Sequence, residues 1–380
     1  MKPTLRRIVR DERTLQLGAH PLRSVLVTGS EHQWVAGLDG TRELGQVLRD
    51  GADAGLGEAD CRALLDRLAE RGVLDDAAVP PVRLSLGERD RLAPDLDVLD
   101  LAGDGAEVFA RRRRARVRVY GAGRVGAQVV GLLAASGVGA IRVFDEGPVR
   151  PCDLAPGGLT WSELGMSRQD GAVALARRLT SGAPPPPNTP PPDIVAPADD
   201  SAIPGTPSMP ATNAQAGGPF LGDGYDRPDL VVLAPVAPLD GVLVNELTEL
   251  GIPHLLVSAF EGHGSVGPLV LPGETACLHC LDLTRRDADP AWPIVTARLG
   301  GYPPGEIACD TTMATLVAAS ATGHALAHID GRDPVVTNGT LDIMPDWRWK
   351  TRSWIQQPQC RCMRNHPYRP EWSCQSPAMG

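Results

Sequence analysis

Apolar and polar residues along this chain repeat with two periods, and the change of period marks how the chain is organised. In the first forty residues, short apolar runs at 14–17, 24–28 and 34–38 predict strands, and Asp39-Gly40 closes the last one as a turn. Two helical stripes follow. One carries Leu44, Val47 and Leu48. The other carries Cys61, Leu64, Leu65 and Leu68 between Gly57 and Gly72. Short strands followed by two short helices predict a winged-helix-like module over residues 1–80, whose groove could take an extended peptide by strand addition. Residues 81–115 read as a connector ending in Arg111-Arg112-Arg113-Arg114. Such a run is expected as a solvated basic surface, with a phosphate contact as the alternative. Beyond it the pattern becomes strand, helix, strand: an apolar strand at 116–120, a helix over 128–135 and a second strand at 141–144. A helix opening near Arg168 runs to about 179. A proline-rich tract at 181–228 then predicts an extended surface insertion. The sheet-like run Leu230-Val231-Val232-Leu233 beyond it places the insertion inside one domain, spanning 116–345. Later come helices ending near 250 and spanning 313–329, and a C-terminal tail at 346–380.

Length and charge narrow the function. At 380 residues the chain is expected to hold two or three domains. A net charge of −9 argues against nucleic acid or anionic membrane as the principal partner. No run approaches eighteen apolar residues, and the charged start lacks an apolar signal core, so a cytoplasmic location is expected. There the eight cysteines would be kept reduced, which makes metal binding a better question than disulfides.

The strand at 116–120 runs directly into Gly121-Ala122-Gly123-Arg124-Val125-Gly126, and the second strand ends at Asp145. This is a G-x-G-x-x-G motif in its required strand–turn–helix setting. Gly121 permits the turn, Gly123 admits a phosphate to the backbone, and Gly126 allows close helix packing. Asp145 can accept from ribose hydroxyls, and the helix N-terminus favours an anion. A Rossmann-like α/β fold is the expectation, and the motif alone leaves nicotinamide dinucleotide, flavin and ATP open.

Cys277-Leu278-His279-Cys280 and Cys360-Arg361-Cys362 supply two close thiol pairs, which together would close a tetrahedral structural zinc site with no open position. Cys374 or His366 could replace one member. Cys309, just ahead of a predicted helix start, is either a packed small residue or a thiol activated by the helix N-terminus.

The Gly121–Asp145 unit, the Gly251-Ile252-Pro253 turn and the Cys277–Cys280 pair together make residues 112–345 resemble the ThiF/MoeB/HesA family, relatives of the ubiquitin-activating enzymes. The resemblance implies a fold that binds ATP and Mg²⁺, adenylates the C-terminal carboxylate of a peptide or a ubiquitin-like or sulfur-carrier protein, and holds a zinc with two cysteine pairs. This chain departs from the family at several positions. The Asn-x-x-Arg-Gln stretch is replaced by Asp153-Leu154-Ala155-Pro156-Gly157. Of the phosphate-binding basic residues only Arg168 is left. The position of the Mg²⁺ carboxylate falls on Val236, with Asp240 the nearest acid. No catalytic residue is assigned. The chain is also similar to the ThiF-like partner proteins of azole-forming systems. That likeness implies a protein that grips the leader segment of a precursor peptide and docks a YcaO-type cyclodehydratase. The alternative is an active adenylyltransferase using Arg168 and Asp240; a nicotinamide oxidoreductase ranks below both. A homodimer is a further expectation.

Overall fold

The computed structural model describes Lys2, Leu221 and residues 5–21, 24–74, 84–102, 105–180, 211–218, 227–235, 239–298 and 308–362. The chain divides after Ala110 into two compact units.

In the first unit, β1 (Arg7–Asp11), β2 (Thr14–Leu17) and β3 (Val25–Thr28) form an antiparallel sheet in the order β1-β2-β3. Three helices follow, α1 (Glu31–Ala36), α2 (Leu44–Asp53) and α3 (Glu58–Glu70), an order of winged-helix type. Leu15, Leu17 and Val27 of the sheet share a core with Trp34, Leu48, Cys61, Leu64 and Leu68. The strand expected at 34–38 is instead the end of α1 and the turn after it. A strand would send the adjacent Trp34 and Val35 to opposite faces. Both are buried, and the Trp34 indole donates to the Val47 carbonyl at 2.9 Å, so one helical face carries both into the core. The expected connector also holds two helices, α4 (Leu86–Ala102) and α5 (Gly105–Arg114), with a small core of Leu84, Leu92, Leu99 and Phe109.

The second unit is a layered α/β domain. Its elements in chain order are β4 (Arg116–Tyr120), α6 (Gly126–Ala135), β5 (Ala140–Phe144), α7 (Arg168–Thr180), β6 (Asn213–Ala216), β7 (Leu230–Leu233) and α8 (Gly241–Glu249). They continue with β8 (His254–Phe260), β9 (His263–Val270), α9 (Leu278–Ala288), α10 (Trp292–Arg298), α11 (Thr311–Ile329), β10 (Gly339–Ile343) and β11 (Trp349–Ser353). Among the described residues, eight strands make one sheet in the order β11-β10-β9-β8-β7-β4-β5-β6. Strands β6, β5, β4, β7 and β8 run parallel, and β9, β10 and β11 add an antiparallel flank. Side chains alternate across the sheet. Leu230 and Val232 meet α6, α7 and α11 on one face, whereas Val231 and Leu233 meet α8 and α9 on the other. A strand covered on both faces must be apolar throughout, which is why residues 230–233 read as an unbroken apolar run.

Two sequence expectations are corrected here. The four arginines are not a uniform solvated face. On α5 consecutive residues point about 100° apart, so the run spreads around the helix. Arg112 and Arg113 turn inward and are buried. Arg112 makes two 2.8 Å bonds to Asp330, and Arg113 reaches the Thr212 hydroxyl at 3.0 Å. The second correction concerns the proline-rich tract. Residues 181–210 lie outside the described residues, but 213–216 form β6, paired in parallel with β5. Its Asn-Ala-Gln-Ala sequence has little strand propensity. The open edge of β5 supplies the hydrogen bonds.

His254 on β8 is fully buried, its Nδ1–H donating to the Ile252 carbonyl at 2.9 Å. Burial pushes its pKa down to about 4. The unfolded chain binds this proton near pH 6.5 and the folded chain does not, so stability drains away as pH falls from about 6.5 toward 4. Urea unfolding at pH 7 and pH 5 should differ by about 2 kcal/mol from this group. A His254→Leu variant should show a correspondingly smaller difference; an unchanged one would clear the histidine.

Candidate functional site

The glycine loop sits where β4 hands over to α6, at the carboxyl end of the parallel strands. Gly121 has φ of +90°, and a Cβ there would lie 2.0 Å from the Ala234 carbonyl oxygen. A Cβ on Gly126 would lie 1.9 Å from the Gly121 carbonyl oxygen. Both glycines are therefore required by backbone packing, whatever the loop binds. Gly123 is on the same loop, its carbonyl accepting from the Ala127 N–H at 3.0 Å.

Asp145 and Arg168 meet beside this loop, but they face each other. The Asp145 carboxylate accepts from the Ala122 N–H at 2.8 Å, the Gly147 N–H at 3.2 Å and Arg168 Nε at 2.9 Å. A second guanidinium nitrogen of Arg168 lies 3.5 Å from Asp153. The Arg168, Asp145 and Asp153 side chains are no more than 10% exposed. Burial works against the Arg168 charge, but the two carboxylates outweigh it and raise its pKa. Three of roughly four acceptor positions on Asp145 are thus taken by the protein itself, and the Arg168 charge is neutralised in place. Asp153, standing where the family pattern has an amide, is one of the neutralising groups.

Arg124, within the glycine motif, was passed over by sequence reasoning. Its guanidinium donates to the Cys152 and Cys309 carbonyls and to the Thr311 hydroxyl. It thereby ties the glycine loop to the segment after β5 and to the start of α11. The only available signal was an arginine at a variable position of the motif, which by itself points nowhere. Cys309 is half-buried, and that burial pushes its thiol pKa up. The cap of α11 is Asp310, which accepts from the Met313 N–H at 2.8 Å. Asp240 caps α8, accepting from the Val242 N–H at 2.9 Å, and Val236 lies outside the described residues.

The four sequence-selected cysteines converge. Cys277 caps α9 and Cys280 lies in its first turn, while Cys360 and Cys362 come from the tail. Sulfur separations are 3.5 Å for Cys277–Cys360 and 3.7 Å for both Cys277–Cys280 and Cys280–Cys362. All four lie within 4.8 Å of one another and none is in a disulfide. A tetrahedral ion with metal–sulfur bonds of about 2.3 Å spaces its ligands by roughly 3.8 Å. The donor set and its spacing therefore fit zinc, with no position left for water or substrate. Hydrogen bonding from the Cys277 thiol pulls Cys280 down to about 4, and donation to it pushes Cys277 up. Burial pushes Cys362 up to about 12. Without a cation the cluster thus resists holding several thiolates at once. The alternative ligands His366 and Cys374 lie outside the described residues.

Residues 98–187 match the ThiF family. Among solved structures, the chain is similar to Escherichia coli MccB with MccA-N7isoAsn at 15% identity, covering 96% of this chain and 98% of that one with a TM-score of 0.67. It is similar to MccB with ATP at 15% identity, covering 95% and 98% with a TM-score of 0.64. PaaA matches at 16% identity, covering 93% and 100% with a TM-score of 0.63. No protein with a curated description matches. No helix among the described residues is long and apolar enough to cross a membrane. The ThiF-family match thus spans the glycine loop and Asp145, and the solved structures share the fold of this chain.

Proposed function

We propose that this protein is a scaffold that binds the leader segment of a precursor peptide and presents it to a YcaO-type cyclodehydratase, with an ATP and Mg²⁺ site no longer equipped for adenylation. The closed Asp145–Arg168–Asp153 triad carries this reading. Adenylation requires free cations on the phosphates and a carboxylate for the metal, placed where charge develops. Here the one retained basic residue is consumed by two acids, and Asp240 is spent on a helix cap. The first unit supports the peptide role. β1 and β3 are the edges of its sheet, β1 is exposed along its whole length, and Val9 and Leu26 are exposed apolar residues on those edges. An extended peptide adding to either edge would satisfy backbone groups and cover these side chains. Solved complexes of MccB with MccA, on the same fold, support a role in peptide modification.

Calorimetry with ATP and Mg²⁺ on the zinc-loaded protein, followed by ATP–pyrophosphate exchange, tests the reading. Neither binding at millimolar ATP nor exchange is expected. Micromolar binding with exchange that depends on an added peptide or carrier protein would establish the adenylyltransferase instead. Arg168→Ala should act through stability, because it strands two buried carboxylates at a cost of about 3 kcal/mol. A variant that unfolds like the parent would show that the triad is solvated and would remove the main support for a closed site.

A further inference from the structure

The arginine run has a use beyond the Arg112–Asp330 pair. Arg111 and Arg114, the two members of the run that do not turn inward to be buried, line a cavity of about 320 Å³ with Ala115, Asp229, His328 and Ile329. The cavity lies between the last turns of α5 and α11, at the amino ends of β4 and β7. The glycine loop is at the opposite end of the same strands, roughly 15 Å away for a five-residue strand.

Charge in the cavity favours an anion. Two guanidiniums face one carboxylate, which already accepts from the Arg116 N–H at 2.8 Å; burial pushes the His328 pKa down, so its imidazole joins them as a neutral hydrogen-bonding group. Several of the last carbonyls of both helices are met by backbone N–H groups. The Arg111 and Arg112 carbonyls accept from the Ala115 N–H at 3.0 and 3.2 Å, the His328 carbonyl from Gly331 at 3.0 Å, and the Ala327 carbonyl from Arg332 at 2.8 Å. Among the described residues no carboxylate forms an ion pair with Arg114, although the whole chain carries a net charge of −9. Guanidinium forks match phosphate oxygens in geometry as well as charge. The volume falls at the lower end of small-molecule pockets, about 300–1,000 Å³, and exceeds what a bare oxyanion fills. Ile329 and Ala115 offer an apolar wall to an attached organic group.

We propose that this cavity is a second binding site, separate from the glycine loop, for a small metabolite bearing a phosphate group, held by Arg111, Arg114 and His328. Calorimetry on the full zinc-loaded chain, at constant ionic strength in chloride, would use two probes: inorganic phosphate and a phosphate monoester such as glycerol phosphate. Both should bind, the ester more tightly. Arg114→Gln, at an exposed position, should weaken both by about tenfold or more, and His328→Gln should weaken them less. Arg177→Gln on the exposed face of α7 should change nothing. No binding at millimolar concentration, binding of free phosphate with the ester excluded, or equal affinity in the Arg114→Gln variant would each overturn the proposal.

Discussion

Stripping any metal bound by the cysteines, or replacing Cys280 with serine, is expected to lower the unfolding midpoint by about 5 °C or more, equivalent to roughly 4–5 kcal/mol at this size. Cys280 is the cysteine to weigh, because its sulfur lies 3.7 Å from both Cys277 and Cys362 and also accepts the Gln357 N–H at 3.4 Å. Four sulfurs this close hold together as thiolates only around a cation. The loss should nevertheless fall short of complete unfolding, because the tail has other attachments. The Trp354 indole donates to the Thr340 hydroxyl at 2.6 Å, Asn338 donates to the Trp354 carbonyl at 2.9 Å, and Gln357 donates to Thr284 at 2.8 Å. Elemental analysis should find about one zinc per chain, and calorimetric scans with and without a chelator give the shift. Reloading zinc at neutral pH should release protons, since burial and mutual hydrogen bonding keep Cys277 and Cys362 protonated without it. A chelated protein with an unchanged midpoint and no proton release would show that the cysteines do not form a metal centre.

Asp330→Ala is expected to cost about 3–5 kcal/mol, as large a penalty as any single side chain in this fold should carry. The Asp330 side chain is fully buried and Arg112 is 7% exposed. Removing the acid leaves a guanidinium that has lost two 2.8 Å bonds and has no water to replace them. Arg332 also pairs with Asp330, but it is more than half exposed and can turn to solvent. The pair itself is worth much less than the penalty for breaking it, because both groups were desolvated to form it. A double variant, Arg112→Met with Asp330→Leu, should therefore recover most of the loss. Urea unfolding of the parent, the single and the double variant separates these outcomes. A single variant within 1 kcal/mol of the parent would mean that water reaches Arg112.

What could be read in the sequence follows from how local each signal is. The β4–α6–β5 unit was legible because the approach of Gly126 to Gly121 and the Asp145 bond to Ala122 lie within thirty residues, although Gly121 is also pressed by the distant Ala234 carbonyl. Strand β6 was not. Asn213-Ala214-Gln215-Ala216 lies beyond a proline-rich tract, and nothing within four residues reports the open β5 edge that pairs with it. The short apolar run at Trp34 fits either period, and only the distant Val47 carbonyl decides between strand and helix. Arg124 was silent for the same reason. Its partners Cys309 and Thr311 lie 185 and 187 residues away.

The sequence by itself determined the order of strands and helices around the glycine motif, the chemical character of the cysteine pairs and the absence of the usual phosphate-binding residues. Each of these depends on residue type and short spacing. Only the tertiary structure decided that Arg168 turns to Asp145 rather than to a ligand, that Arg112 is buried while Arg114 is exposed, and that Cys360 reaches Cys277 across 83 residues. Those outcomes depend on which groups share a desolvated space. Burial changes the energy of a charge or a thiol by several kcal/mol, whereas local propensity contributes about 1 kcal/mol or less, so the final position of each group was set by its distant partners.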